Sequence, residues 1–128
     1  MASFLLDTHT LLWHLGSSKE LSKAAYDTII NQDNSIYISI ASFWEMAIKV
    51  GLKKLETPEP PGEMVGRMEA VGINVLPIRS AYLKELGQLP LHHRDPFDRM
   101  IISTAIHEQM VIITRDRNFT IYQHPVLW

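Results

Sequence analysis

Four short runs rich in apolar, β-branched or aromatic residues stand out along the chain, at positions 4–6, 35–38, 74–76 and 111–114, with segments of helical length between them. Parallel strands cannot be joined by a tight turn and need a crossover, so this alternation predicts a parallel sheet with helices packed on it. The spacing of apolar positions places those helices at 8–15, 22–31, 41–50, 63–71, 80–86 and 96–109. The last is the clearest. Met100, Ile101, Thr104, Ala105 and Glu108 keep helical spacing, while Asp95 and Pro96 supply an N-cap and a first-turn proline. The stretch 57–62, TPEPPG, interrupts the pattern and reads as a loop. The fold class expected is α/β, a three-layer α/β/α sandwich around a central, mainly parallel sheet, with residues 1–128 forming a single domain. In such sheets ligands bind beyond the carboxyl ends of the strands, so acidic residues just past strands come first.

Composition narrows the chemistry. With 128 residues and 46% hydrophobic content, the chain is large enough to bury one core without staples. It has no cysteine, which excludes disulfides and thiolate metal sites and agrees with a reducing compartment, so the cytoplasm is the expected location. The opening MASFLLDTHTLLWHL carries no basic leader, and Asp7 and His9 break its apolar run well short of a membrane span. It reads as folded chain, with no membrane association expected. A formal net charge of -2 argues against coating nucleic acid through bulk electrostatics, so any such contact is local.

Asp7 ends the run FLLD and Asp116 ends VIITRD, each just beyond a strand, where a turn or cap role is the plain alternative to a ligand. Asp98 is more informative, because Ile101 and Ile102 follow one turn later and Ala105 two turns later, so the acid heads an apolar stripe. The helix dipole favours an acid in the first turn. It does not explain a charge above the buried face, where charges are normally paired or bound to metal. Asp95, just before Pro96, is better explained as a cap than as a ligand. Glu45 lies on the helix after the second strand, near Ala41, Ser42 and Ile48, and an ion pair with Lys49 is its plain alternative. Of Asp7, Glu45, Asp98 and Asp116, all but Glu45 follow a strand or open a helix where a parallel sheet gathers the chain at one edge. Converging there, they would repel by about 4 kcal/mol per contacting pair, so the cluster needs a cation or raised pKa values. Oxygen donors without Cys favour Mg2+ or Mn2+ over Zn2+.

Arg94, Arg99, Arg115 and Arg117 flank two of the acids, with Lys49, Lys53 and Lys54 further off; they are candidate RNA contacts or ordinary solvated cations. His92 and His93 are adjacent and lack the spacing of a helical zinc pair, so they read as loop residues. Trp13, Trp44, Met46 and the proline loop hold more large apolar groups than one small core obviously needs. They serve either as core or as a surface for another chain.

The stretches FLLDTHTLLW, YISIASFWEMAIKVGLKKL, HHRDPFDRMIISTAI and VIITRDRNF, in this order and spacing over nearly the whole chain, resemble the PIN domain. Within that family the resemblance is to the toxin ribonucleases of VapBC toxin and antitoxin systems. It implies a sheet whose carboxyl edge gathers Asp7, Glu45, Asp98 and Asp116 as catalytic and metal-binding residues for one or two Mg2+ or Mn2+ ions. It also implies that Thr8 and Thr114 orient those carboxylates through their hydroxyls, and it leaves open whether Asp95 reaches the metal as well. The implied activity is hydrolysis of RNA by water that the ion acidifies, attacking phosphorus in line with the leaving sugar oxygen and yielding 5'-phosphate and 3'-hydroxyl ends. Implied partners are an RNA substrate, a second copy of the chain and a small VapB-like antitoxin whose amphipathic segment lies over the site. Other readings are a stand-alone PIN nuclease and a catalytically silent, partner-binding domain of the same fold. Phosphotransfer domains with a strand-end Asp nucleophile also fit FLLDTHT, but they expect a lysine after a late strand, where this chain has Arg115 and Asp116.

Overall fold

The computed structural model describes residues 2–128. Among them, strands β1 (Ser3–Leu6), β2 (Ser35–Ser39), β3 (Asn74–Leu76), β4 (Val111–Ile113) and β5 (Val126–Leu127) form one sheet in the order β3, β2, β1, β4, β5. Every pairing in it is parallel. The helices are α1 (Thr8–Leu15), α2 (Lys23–Ile30), α3 (Ile40–Gly51), α4 (Pro61–Ala70), α5 (Ser80–Gln88), α6 (Pro96–Glu108) and the single turn α7 (Arg117–Thr120). No helix among the described residues is long and apolar enough to cross a membrane. The sheet expected to be mainly parallel is therefore wholly so, and the sequence pattern left out two elements. Both α7 and β5 are too short to complete a hydrophobic period.

Alternation along β1 shows why three layers form. Phe4 and Leu6 face a core with Ile36, Ile38 and Ile113, which α1, α2, α3 and α4 close with Leu11, Ile29, Phe43, Met46, Met64 and Met68. Leu5 and Ile112 face the opposite way, against Ile101, Ile102 and Ala105 of α6 and against Phe119. Tyr82 of α5 packs with Met100 and Ala41 in a smaller cluster. Successive strand residues point to opposite faces, so a strand apolar at every position needs helices on both sides.

Helix starts are set by short polar side chains. Asp7, Ser22, Ser39, Asp95 and Asp116 each accept a hydrogen bond from a backbone N–H in the first turn of α1, α2, α3, α6 and α7. From β1 the order runs through β2 to β3 on one side and through β4 to β5 on the other. The direction of winding reverses between β1 and β4, and the crevice beyond their carboxyl ends is where open parallel sheets bind ligands. Asp7 and Asp116 stand there.

Candidate active site

Asp7 is the most tightly built of the acids. Its Oδ1 accepts from the Thr8 backbone N at 2.7 Å, its Oδ2 accepts from Thr114 Oγ1 at 2.9 Å, and only 5% of the residue is exposed. Thr114 Oγ1 in turn accepts from the Asp116 backbone N at 3.0 Å, so one hydroxyl ties the ends of β1 and β4 together. Burial pushes the Asp7 pKa up to about 6 against the opposing pull of Thr114, His9 and Thr8, with Asp116 adding to the rise.

Glu45 sits on α3, which starts directly after β2 with no intervening loop, so the helix carries the carboxylate back over the sheet edge. Its Oε1 accepts from Thr8 Oγ1 at 2.8 Å and its Oε2 from Lys49 Nζ at 2.7 Å. Thr8 Oγ1 also lies 2.9 Å from Ser42 Oγ. A threonine hydroxyl has one proton, which goes to the carboxylate, leaving Ser42 to donate in the second contact. The pair with Lys49 exists, but it is not an ordinary surface pair, because Glu45 is buried. The bond from Glu45 raises the Lys49 pKa, and Asp95 and Asp98 contribute to the same rise, which puts the ammonium at the margin of the cluster.

Asp98 is half-buried in the first turn of α6, with Oδ2 at 3.4 Å from His93 Nε2. Its pKa is pushed up to about 8, first by burial and then by the charges of Asp7, Asp95, Asp116 and Glu45. Asp95 directs Oδ1 to the backbone N of both Phe97 and Asp98, at 2.9 Å each, as a helix cap. Asp116 likewise caps α7, through Asn118 N at 2.9 Å.

Among the described residues no group of three or more His, Asp or Glu side chains forms a finished cage for an ion. Glu45 is turned to Lys49 and Asp98 toward His93, so the acids share an electric field rather than a single point. In donor type and charge they fit a hard divalent cation. All are carboxylates, and the mutual repulsion that raises Asp98 is what positive charge between them would relieve. An open set of this kind leaves coordination positions to water, as Mg2+ prefers.

The arginines differ in their freedom. Arg94 and Arg117 are exposed and form no ion pair among the described residues. Arg99 is engaged within the protein, donating to Pro90 O at 2.9 Å, Tyr122 Oη at 3.1 Å and Leu89 O at 3.3 Å, which anchors the loop before α6. Arg115 pairs with Glu20 and lies over the Trp13 ring, 4.5 Å from its centroid. Lys53 and Lys54 are exposed beyond α3. Met46 is core, while Trp44 is 59% exposed and stacks edge-on against Phe97.

Sequence reasoning missed His93 as the neighbour of Asp98, Ser42 as the partner of Thr8, and His9 beside Asp7. Ser42 had a signal, since it stands three residues before Glu45 on the same helix face. His93 had none, because its approach to Asp98 depends on how Tyr122, 2.6 Å from His93 Nδ1, and Arg99 hold the loop.

Thr114→Val keeps the shape of the side chain and removes the hydroxyl. It is expected to raise the Asp7 pKa above about 6 and to weaken divalent-ion binding by about ten-fold or more. Carboxyl NMR titration reads the first and Mn2+ titration the second; an unchanged Asp7 titration would remove Thr114 from this role.

The PIN domain family model matches residues 4–124. Ribonuclease VapC22 of Mycobacterium tuberculosis is 26% identical over 126 residues, covering 98% of this chain and 95% of that protein. Among solved structures, VapBC2 from Rickettsia felis bound to a promoter DNA fragment superposes with a TM-score of 0.70 at 17% identity, covering 98% of this chain and 97% of that one. DNA-bound VapBC from Salmonella typhimurium gives a TM-score of 0.69 at 20% identity, covering 100% and 98%.

Proposed function

The chain belongs to the PIN domain family, and from that premise we propose that it is a divalent-metal-dependent endoribonuclease, the toxin half of a toxin and antitoxin pair. One observation carries the reading. Asp98 arrives on α6, and its pKa is pushed up to about 8 first by burial and then by the charges of Asp7, Asp95, Asp116 and Glu45, three of which come from other stretches of the chain. Four acids far apart in sequence thus share one electric field at the sheet edge, and groups perturbed in this way by burial and like charge mark functional sites. The relative named as a ribonuclease and the VapBC neighbours support RNA as substrate and a VapB-like antitoxin as partner; the same reading takes residues 1–128 as one domain that works in the cytoplasm.

In this reading Asp7 and Asp98 hold Mg2+ or Mn2+ directly, with Glu45 and Asp116 completing the site. The bound ion supplies the positive charge that acidifies water and offsets charge building on the phosphate. Thr114 and Thr8 fix Asp7 and Glu45, so that neither carboxylate must reorganise as charge develops. Asp116, less buried than Asp7, would orient the attacking water and receive its proton. Arg94 and Arg117 draw phosphates toward the acids. Cleavage leaves a 5'-phosphate and a 3'-hydroxyl. RNA cleavage is expected to stop in EDTA and return with added Mg2+ or Mn2+; undiminished cleavage in chelator excludes the mechanism.

The same reading includes a homodimer. Trp44 and Ile48 on α3 and Leu52 at its C-cap recur every fourth residue and all are exposed, an apolar stripe that a second copy would cover. A monomer by light scattering at micromolar concentration would oppose it.

A further inference from the structure

Beside the acids lies a cavity of about 280 Å³ lined by Asp7, His9, Trp13, Arg115 and Asp116. The metal reading accounts for the two acids and leaves the other three side chains without a task. This volume lies just below the range for ligand pockets, which run from about 300 Å³ upward, so it suits a group of about one ring system.

Its construction follows from the sheet. His9 and Trp13 are four residues apart on α1, hence on one helix face, and their rings lie 5.7 Å apart at 39°. Arg115 leaves β4, the neighbour of β1, and places its guanidinium carbon 4.5 Å from the Trp13 ring centroid. Trp128, just past β5, meets Trp13 edge-on with centroids 5.8 Å apart. Glu20, in the connection after α1, pairs with Arg115 and offsets its charge. Arg115 is therefore held more as a flat surface than as a free phosphate hook. His9 is exposed and lines the same cavity.

We propose that His9, Trp13 and Arg115 form a stacking subsite for one unpaired nucleobase of the RNA strand whose backbone passes the carboxylates. The inference rests on the nuclease reading and assigns the position of one base next to the reacting phosphate. Stacking on aromatic and guanidinium planes suits any base, because every base presents a π face, so the subsite selects single-stranded over paired RNA rather than one letter over another. A duplex cannot offer a base to this cavity without unstacking it.

The test separates base from backbone, and binding from turnover. Oligoadenylate of ten nucleotides and a ribose phosphate chain of equal length without bases are titrated against the full chain in EDTA, followed by fluorescence anisotropy and tryptophan quenching. The intact protein is expected to bind the base-bearing strand about ten-fold more tightly. That preference is expected to fall toward one in His9→Ala and Trp13→Ala and to persist in His9→Tyr and Trp13→Phe, which keep a ring. Equal binding of the two strands by the intact protein, or a preference that survives both alanine changes, overturns the subsite. Persistence in His9→Lys together with loss in His9→Tyr would also overturn it, since the contact would then be electrostatic. The two readings fail separately. Metal-dependent cleavage with no base preference sinks the subsite alone, whereas base preference without cleavage sinks the nuclease alone.

Discussion

Asp98→Asn will lose RNA cleavage and, at the same time, make the metal-free protein harder to unfold. The loss follows from removing a carboxylate that would hold the ion. Deleting one group that stabilises developing charge costs roughly 10²–10³ in rate, and a direct ligand is expected at the upper end or beyond. The gain follows from the position of the acid. Its charge is half-buried and faces Asp7, Asp95, Asp116 and Glu45, which is why its pKa stands near 8. An amide of the same shape removes that repulsion. Allowing for solvent screening at a partly exposed site, we expect about 2 kcal/mol at pH 8.5, a rise in Tm of several degrees for a chain of this size. Single-turnover cleavage and thermal unfolding in EDTA measure the two effects. A variant that loses both activity and stability would mean that Asp98 is a structural group, and the proposed site would lose its central member.

The second large effect is a dependence of stability on pH that metal reverses. For Asp98 the folded protein holds a proton up to about pH 8, while the unfolded chain releases it near the ordinary carboxyl value of about 4. The folded state therefore binds more protons throughout that interval. Stability falls as pH rises across it. Asp7 acts in the same direction up to about pH 6. His14 opposes them in acid, because burial holds its pKa below 6.5, so the clean window runs from pH 6.5 to 8.5. Metal-free protein is expected to lose Tm across that window. With Mn2+ present, binding requires the ionised carboxylates, so its stabilisation grows with pH and flattens or inverts the slope. At an ion concentration a hundred times Kd the stabilisation is about 2.7 kcal/mol, enough to outweigh the proton effect. In Asp98→Asn both slopes should be nearly flat. An unchanged slope in that variant would assign the pH dependence elsewhere.

These expectations place the carboxylates in tension with the fold that carries them. Asp7 is held by Thr8 and Thr114 and Glu45 by Thr8 and Lys49, so each charge has some compensation inside the protein. Asp98 has the least, since His93 at 3.4 Å is a distant partner. A group left destabilised by its surroundings is one whose free energy drops most when a cation arrives. That is a physical reason to expect stability and activity to trade against each other here.

The succession of elements along the chain and the acids worth testing were legible in the residue pattern alone. Apolar strand runs separated by helical periods gave four of the five strands and six of the seven helices among the described residues, because burial on both faces leaves a signal along the chain. Capping showed equally directly, since Asp95 before Pro96 and Asp7 before Thr8 act on their own neighbours. Which groups meet was set by the packing of strands and helices against one another. The bond from Thr114 to Asp7 spans 107 positions, and the stack of Arg115 on Trp13 likewise joins distant segments. Such meetings depend on β4 lying beside β1, a pairing that hydrophobic spacing does not encode. The turn α7 and the edge strand β5 fall outside the pattern for a related reason. Elements of two to four residues are held by neighbours already in place, and the information that forms them resides in those neighbours.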